Sequence, residues 1–310
     1  MTDAGPESTP LPVDPAQEKE RSLAWVRRAY LVAFAVALGF GCALVNDGSE
    51  STIVIALVAD LMATLTIFAF GRLFRNSSIY DPYWTVAPPL IALFWAFSPE
   101  TDEVSIVRRM LVVGLVLAWS IRLTYNWMRG WQGLSHEDWR YVDLREKWGD
   151  RFWAIDLAGI HMFPTVQVFL GCLALYPSLS TGTTALNTLD VIALSVTSLG
   201  IWFEMTADRQ LRSFVTTRTD DQAILNTGLW AYSRHPNYFG ENLFWWGLYL
   251  FALAADPGSY WWTFVGPLTI SLMFHFVSIP LLEERNLLRR PEYAEHQRRV
   301  SSCIPWIPRP

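Results

Sequence analysis

Long apolar segments separated by polar connections are the feature that most constrains this chain. About 20 apolar residues suffice to cross the ~30 Å hydrocarbon core of a membrane as a helix. Eight segments approach this criterion, at residues 24–45, 52–73, 83–97, 105–127, 155–176, 185–203, 238–255 and 260–282. Apolar residues make up 52% of the chain, and 16 residues are Trp, which is unusual for a soluble protein. We therefore predict an all-α, polytopic membrane bundle of about eight spans.

The basic residues predict the orientation of these segments. With a cytoplasmic N-terminus, 22 of the 24 Lys and Arg fall on the cytoplasmic side, and Arg108 and Arg109 lie near the outer face. The opposite loops carry mainly acids, namely Asp47, Glu50, Glu100, Asp102, Glu103 and Asp256. Because basic loops are retained in the cytoplasm, this asymmetry predicts that both termini are cytoplasmic. The third segment is short and contains Pro88 and Pro89, so it is expected to be broken or re-entrant if it does not cross fully.

The rest of the chain predicts one membrane domain. Residues 1–22 are rich in Pro, Glu and Asp and lack the apolar core of a signal peptide, which indicates a disordered cytoplasmic tail. Residues 23–310 form the domain. The three Cys residues form no CxxC pattern, so we expect neither a disulfide framework nor a metal site. No nucleic acid partner is expected.

The segment from Gly228 to Glu241 combines cations with an intramembrane acid. Arg234 and His235 can donate to an anion, and Asn237 is a favourable N-cap for a helix over residues 238–255. The free N–H groups of that helix would then face the same anion. The alternative is a basic loop at the membrane surface.

Two further polar segments flank predicted spans. Glu204, Asp208 and Arg212 share one helical face, although a solvated helix end with an Asp208–Arg212 pair explains them equally well. After the last span, residues 283–293 carry Glu284 and Arg285, and an amphipathic helix on anionic lipid is the alternative there. Ionisable residues in apolar surroundings are also functional candidates: Asp60, Asp81, His161 and His275. No GxGxxG or GxxxxGK[ST] motif is present, so a nucleotide needs another architecture.

A set of motifs carries a family resemblance. Ser-Arg-His-Pro-Asn-Tyr-Phe-Gly-Glu is followed about forty residues later by Glu-Glu-Arg-Asn-Leu-Leu, by a Tyr, and by Ile-Pro-Trp-Ile-Pro. These motifs resemble the steroid 5-alpha-reductase superfamily over residues 55–308, and Glu137-Asp-Trp-Arg-Tyr and Asp208-Arg-Gln-Leu fit its DUF1295 branch. The wider clan includes sterol C14 reductases and isoprenylcysteine carboxyl methyltransferases.

The resemblance implies a cytoplasm-facing pocket for NADPH among the C-terminal helices, in a cofactor-binding half at about residues 185–308. The matching positions are Glu204, Asp208, Arg234, Asn237, Tyr238, Glu241, Glu284 and Arg285. The local patterns add Arg212 and His235. Two features depart from the steroid enzymes: Glu283-Glu284-Arg285 replaces their histidine-rich run, and the Glu and Tyr that engage a ketone in them have no clear counterpart here.

The favoured reaction is conjugate reduction of an activated C=C bond in a steroid-like or isoprenoid-like lipid. Hydride from NADPH would reach the β-carbon while a donor polarises the carbonyl oxygen. Tyr80, Asp81 and Tyr83 are predicted on the acid side of the reaction, as candidates for the proton donor. Glu241 is predicted to take part in catalysis. The protein is expected in a bacterial inner membrane, with membrane lipid around it and its active site open to the cytoplasm.

Two other functions fit the same residues. One is methyl transfer from S-adenosylmethionine to a lipid nucleophile, and the other is a membrane protein that binds sterol or lipid without turnover. Cationic side chains that can bind phosphate distinguish the two cofactors, because NADPH carries phosphate groups and S-adenosylmethionine carries none. The available cations favour the dinucleotide but also follow from the positive-inside rule: Arg212, Arg218, Arg234, Arg285 and Arg289.

Overall fold

The computed structural model describes residues 14–48, 50–98 and 104–309. This part of the chain is helical and has no β-strand, which confirms the all-α prediction for it. The α-helices are α1 (Pro15–Asp47), α2 (Thr52–Phe74), α3 (Tyr83–Ala96), α4 (Ile106–Gly130), α5 (Trp139–Trp148), α6 (Phe152–Ile155), α7 (Phe163–Cys172), α8 (Thr188–Thr217), α9 (Pro236–Ala255), α10 (Val265–Met273), α11 (Ile279–Arg289) and α12 (Tyr293–Arg299). Short π-helical segments join α6 to α7 and α10 to α11, so each pair continues as one longer helical stretch.

Five helical stretches in the described residues are long and apolar enough to cross a membrane. They are Ala16–Asp47, Thr52–Phe74, Trp139–Thr181, Thr188–Thr217 and Trp261–Arg289. These stretches indicate a multi-pass membrane protein. The other predicted spans coincide with α3, α4 and α9. Helix α3 has only 14 residues. Helices α4 and α9 carry several polar side chains, which lower their mean hydropathy.

The first helix begins earlier than the sequence pattern indicates. Asp14 accepts a hydrogen bond from the Ala16 N–H, and Pro15 occupies the first helical position. Both features favour a helix start, so α1 extends into the last part of the predicted tail. Residues 1–13 lie outside the described residues. So do Glu100, Asp102 and Glu103 of the predicted outer loop.

Helix α3 is continuous, contrary to the expectation of a break at its proline pair. Pro88 and Pro89 lie inside the helix and are buried. Contacts with α4 and α7 hold α3 in the bundle. Packing against neighbouring helices is what allows proline inside a membrane helix.

Helices α8 and α9 pack closely against each other, and this contact positions the polar residues described below. A Cβ atom on Gly240 would lie 2.7 Å from the Gly200 carbonyl oxygen and 2.8 Å from Glu204 Cγ. Any side chain at Gly240 would therefore push the two helices apart. Small residues allow this kind of approach in membrane bundles.

Arg108, predicted near the outer face, forms a buried ion pair with Asp190 at the start of α8. Its Nε lies 2.7 Å from Asp190 Oδ1, and its Nη1 donates to the Thr184 carbonyl at 2.7 Å. Arg108 is fully buried. This arginine therefore joins α4 to α8 and contributes no free positive charge to a loop.

Candidate functional site

Three helices bring together a buried group of charged and amide side chains, here called the acid cluster. Glu204 and Asp208 lie one turn apart on α8, and Arg122 and Asn126 lie one turn apart on α4. Arg122 Nη1 lies 2.7 Å from Asp208 Oδ2, and the same guanidinium contacts Glu204. Asn126 Nδ2 donates to Asp208 Oδ2 at 3.1 Å. The side chain of Asn237, from α9, also donates to Asp208.

Glu241 extends the acid cluster deeper into the bundle. Trp119 Nε1 donates to Glu241 Oε2 at 3.0 Å, and Trp245 Nε1 donates to Glu241 Oε1 at 2.8 Å. The Trp119 ring stacks on Phe244, with 4.6 Å between the ring centroids. Glu241 is only 6% exposed. Each carboxylate oxygen retains a lone pair for a further donor.

The structure changes the partner expected for Asp208. Arg212 is exposed at the end of α8 and forms no ion pair with the described residues, whereas Arg122 takes the place next to Asp208. The reason is tertiary, because α4 packs against α8. Arg122 and Asn126 are not among the site residues predicted from the sequence. Their spacing of four residues in an apolar helix was the available signal.

Arg234 belongs to a different group, here called the C-terminal clamp, which consists of Arg234, His235, Glu283, Gln297 and Val300. Arg234 Nε donates to Glu283 Oε1 at 2.6 Å, and its Nη1 donates to the carbonyls of Gln297, at 2.9 Å, and Val300. Glu283 Oε1 also lies 3.2 Å from His235 Nε2. Gln297 Nε2 donates to Glu283 Oε2 at 2.9 Å. Arg234 and Glu241 therefore belong to different hydrogen-bonded groups.

The start of α9 also differs from its prediction. The helix begins at Pro236, and His235 is the N-cap residue without a side-chain cap bond. Asn237 lies inside the helix, so its side chain is free to reach Asp208. The Tyr238 ring stacks on Phe274, with centroids 4.5 Å apart. A proline at the first helical turn shifts the boundary in this way, because it lacks the N–H that a cap would satisfy.

The C-terminal polar pair is only partly as predicted. Arg285 lies over the Trp139 ring, 3.5 Å from its centroid, and forms no ion pair with the described residues. Glu284 is exposed. The neighbouring Glu283 makes the buried contacts instead, because it faces Arg234 and His235. Sequence reasoning named Glu283 only as part of a motif.

A tyrosine and an aspartate form a second buried pair between α2 and α3. The Tyr83 hydroxyl donates to Asp60 Oδ1 at 2.7 Å and to the Asp60 carbonyl at 2.9 Å. Both side chains are nearly inaccessible, with Asp60 6% and Tyr83 5% exposed. We call Asp60 and Tyr83 the donor pair. Each residue was predicted separately as a functional candidate, but their pairing was not predicted.

The other two residues predicted on the acid side have separate partners. The Tyr80 hydroxyl is 2.8 Å from Thr165 Oγ1, which lies 2.8 Å from Thr64 Oγ1. The Tyr141 hydroxyl donates to Asp81 Oδ1 at 2.5 Å. Burial raises the pKa of Asp81 to about 6, and the Tyr141 hydrogen bond opposes part of that rise. Tyr80 and Asp81 therefore support the loop that precedes Tyr83.

An elongated cavity of about 880 Å³, here called the lipid cavity, lies between α1, α2 and α3. Asp60 and Tyr83 are part of its wall, and Tyr80 and Asp81 are not. Most of the lining is aliphatic or aromatic, including Leu31, Phe34 and Leu38, whose side chains are exposed at the protein surface. The cavity can therefore admit an apolar molecule from the side.

Contacts along α3 and α4 connect the donor pair to the acid cluster. Trp84, next to Tyr83, packs edge-on against Trp119, with centroids 5.9 Å apart. Thr85 Oγ1 lies 2.8 Å from Thr124 Oγ1, which fixes α3 against α4. Trp119 in turn donates to Glu241. Trp84 and Trp119 therefore link α3, which forms part of the cavity wall, to the acid cluster.

Sequence comparison places the chain in a family. Residues 67–300, most of the chain, match a family model described as "Protein of unknown function (DUF1295)". The chain belongs to the DUF1295 family. This confirms the branch that the motifs resemble.

Two relatives of this DUF1295 chain are informative. An uncharacterized protein of Schizosaccharomyces pombe is 27% identical over 256 residues, which is 75% of this chain and 74% of the relative. The protein-S-isoprenylcysteine O-methyltransferase of Saccharomyces cerevisiae is 30% identical over 95 residues, covering 30% of this chain and 36% of the enzyme. The DUF1295 chain therefore has distant similarity to a lipid methyltransferase. No solved structure matches it.

Proposed function

We propose that this DUF1295 protein is a membrane reductase that uses NADPH to reduce an activated C=C bond in a lipophilic substrate. The observation that carries the proposal is the Tyr83–Asp60 donor pair in the wall of the lipid cavity. A phenol buried beside an apolar cavity can turn its one proton from Asp60 to a substrate's carbonyl oxygen, and Asp60 in its protonated form would then donate to the phenol oxygen and keep it oriented. Bound NADPH would supply the hydride for the β-carbon, and a proton from Tyr83 or from water would complete the α-carbon.

The acid cluster fits the nicotinamide and ribose groups of such a cofactor. Arg122 Nε and Glu204 Oε1 are buried without a hydrogen-bond partner in the described residues. Buried polar atoms of this kind are expected to be satisfied by a ligand or by water. Carboxylates at Glu204, Asp208 and Glu241 can accept hydrogen bonds from ribose hydroxyls and from a carboxamide.

The phosphate groups of the cofactor need cations outside the C-terminal clamp. Arg212 and Arg285 form no ion pair with the described residues, so their guanidinium groups are available. Arg212 lies on α8, which also carries Glu204 and Asp208, and Arg285 lies on α11 next to Glu284. Arg234, by contrast, donates through Nε to Glu283 and through Nη1 to two carbonyl groups. We therefore assign Arg234 a supporting role.

Methyl transfer from S-adenosylmethionine is the second candidate, and the similarity to the isoprenylcysteine methyltransferase favours it. Methyl transfer to a lipid nucleophile needs no group that polarises a carbonyl. The donor pair in the lipid cavity would then have no chemical task. A third candidate is lipid binding without turnover. In that case the acid cluster would have no chemical task.

Cofactor binding tests the three candidates directly. The purified protein is heated with NADPH, NADH or S-adenosylmethionine, and its unfolding temperature is measured. A ligand present at about 100 times its Kd stabilises the fold by about 2.7 kcal/mol. We expect NADPH to raise the unfolding temperature, and Asp208→Asn to reduce that rise. Asp221→Asn, at an exposed pair with Arg218, is the matched control. A response to S-adenosylmethionine alone would favour methyl transfer, and no response to any of them would favour lipid binding.

We also propose eight crossings, with both termini and the acid cluster on the cytoplasmic side. Positive-inside asymmetry supports this orientation. Reporter fusions at Asp47, the end of α1, and at Asp256, just after α9, should report the outer face. A cytoplasmic signal at both positions contradicts the proposal.

A further inference from the structure

The lipid cavity extends along most of α1. Its lining on that helix runs from Arg27 to Asn46. At 1.5 Å per residue this is a length of about 28 Å, close to the ~30 Å of the hydrocarbon core. A bilayer lipid chain occupies one leaflet, about half of that thickness. The dimensions therefore suit a chain that reaches through both leaflets.

One end of the lipid cavity carries an unpaired cation. Arg27 lines the cavity, is exposed, and makes no hydrogen bond or ion pair with the described residues. The adjacent Arg28 instead lies over the Trp25 ring, 4.7 Å from its centroid. Asp60, the acidic residue in the cavity lining, already accepts a hydrogen bond from Tyr83. An anionic group would be the complement to Arg27.

Arg27 lies close to the donor pair. Tyr30 follows it by almost one turn of α1 and also lines the cavity. The Tyr30 ring centroid is 6.3 Å from that of Tyr83. The Tyr30 hydroxyl donates to the Ile79 carbonyl at 2.9 Å, which fixes α1 beside the loop before α3. The cation and the donor pair therefore contact the same end of a bound molecule.

We propose that the substrate class is a long single-chain lipid with an anionic group bound by Arg27. This inference rests on the proposed reductase function. The carbonyl conjugated to the C=C bond would contact Tyr83, and the chain would extend along α1 toward Asn46. A compact fused-ring molecule would leave much of that length unfilled. The anion can be a carboxylate or a phosphate, because a guanidinium binds both.

Direct binding measurements test the proposal without the cofactor. The probes are a polyprenyl monophosphate, a long-chain prenyl carboxylate and the neutral polyprenol of matched length, and quenching of Trp fluorescence reports binding to the full-length protein. The two anionic probes separate phosphate from carboxylate recognition. We expect Arg27→Gln to weaken binding of the preferred anionic probe about 10-fold, and Arg27→Lys to restore part of it. Arg28→Gln removes the same charge from the neighbouring position and should leave binding unchanged.

The outcomes separate this proposal from the proposed reaction. Equal affinity for the anionic lipid and the neutral polyprenol, or equal effects of Arg27→Gln and Arg28→Gln, would overturn it. So would equally tight binding of an anionic chain only one leaflet long. Arg27-dependent binding of the anionic lipid supports the site even if NADPH is never oxidised. Absence of NADPH oxidation would reject the proposed reductase function and would leave the proposed lipid site supported.

Discussion

The Tyr83 hydroxyl donates to Asp60 Oδ1 at 2.7 Å in the wall of the lipid cavity. The two residues come from different helices, 23 positions apart in the chain. A phenol held in this way is oriented before a substrate arrives, which is the condition for stabilising charge that develops on a carbonyl oxygen.

Tyr83→Phe removes the proposed donor and keeps the ring. We expect turnover to fall about 10²- to 10³-fold, because positioned proton donors contribute on that scale. The unfolding temperature should change little, and lipid binding should persist. The matched control is Tyr249→Phe, which removes one hydroxyl bond to Trp261 at a position outside the lipid cavity. Full specific activity of Tyr83→Phe would show that this phenol is not the donor.

Glu241→Gln should lower both stability and cofactor affinity. Each Glu241 oxygen accepts an indole N–H, from Trp119 or from Trp245. A glutamine amide has only one acceptor oxygen, so one buried indole loses its partner, at a cost of about 1–3 kcal/mol. Unfolding temperature and NADPH-induced stabilisation should be measured on the same samples. An unaltered response to NADPH in folded Glu241→Gln protein would exclude Glu241 from the cofactor site.

Arg234→Ala should act on the C-terminal clamp. The substitution leaves Glu283 largely buried without Arg234, and such losses cost about 3 kcal/mol. We expect faster hydrogen exchange and proteolysis in residues 290–309, which Arg234 holds through the Gln297 and Val300 carbonyls. Arg212→Ala, at an exposed position, should not change either property. Loss of cofactor affinity with an ordered C-terminal segment would instead support a direct contact with the cofactor.

Asp81 should make stability depend on pH. Burial raises its pKa to about 6 from an ordinary value of 3.8. Between these values the folded protein holds a proton that the unfolded chain has released. Stability therefore decreases as the pH rises from about 4 to 6, and the decrease ends above the folded pKa. Asp81→Asn cannot titrate, so its unfolding temperature should vary less over this range. Parallel melting curves for the two proteins would contradict the assignment.

The amino-acid sequence determined much of the fold by itself. Apolar segments of about 20 residues must satisfy their backbone hydrogen bonds internally in a membrane, which makes them helices. The starts of α2 and α3 were predicted to the residue. The motif around Glu241 and Asp208 indicated the family, and the family match agrees. Periodicity within one helix also placed Glu204 beside Asp208, because residues four apart share a face.

Only the tertiary structure decided which polar groups meet. Arg234 pairs with Glu283, 49 positions away, although the sequence indicates an anion-binding role for it at the start of α9. Asp208 likewise pairs with Arg122 on another helix. Local patterns fix which face a side chain occupies, but helix packing fixes what lies opposite that face. In this protein the close contact between α8 and α9 at Gly200 and Gly240 sets Glu204 beside the start of α9, and no one-dimensional pattern contains that distance.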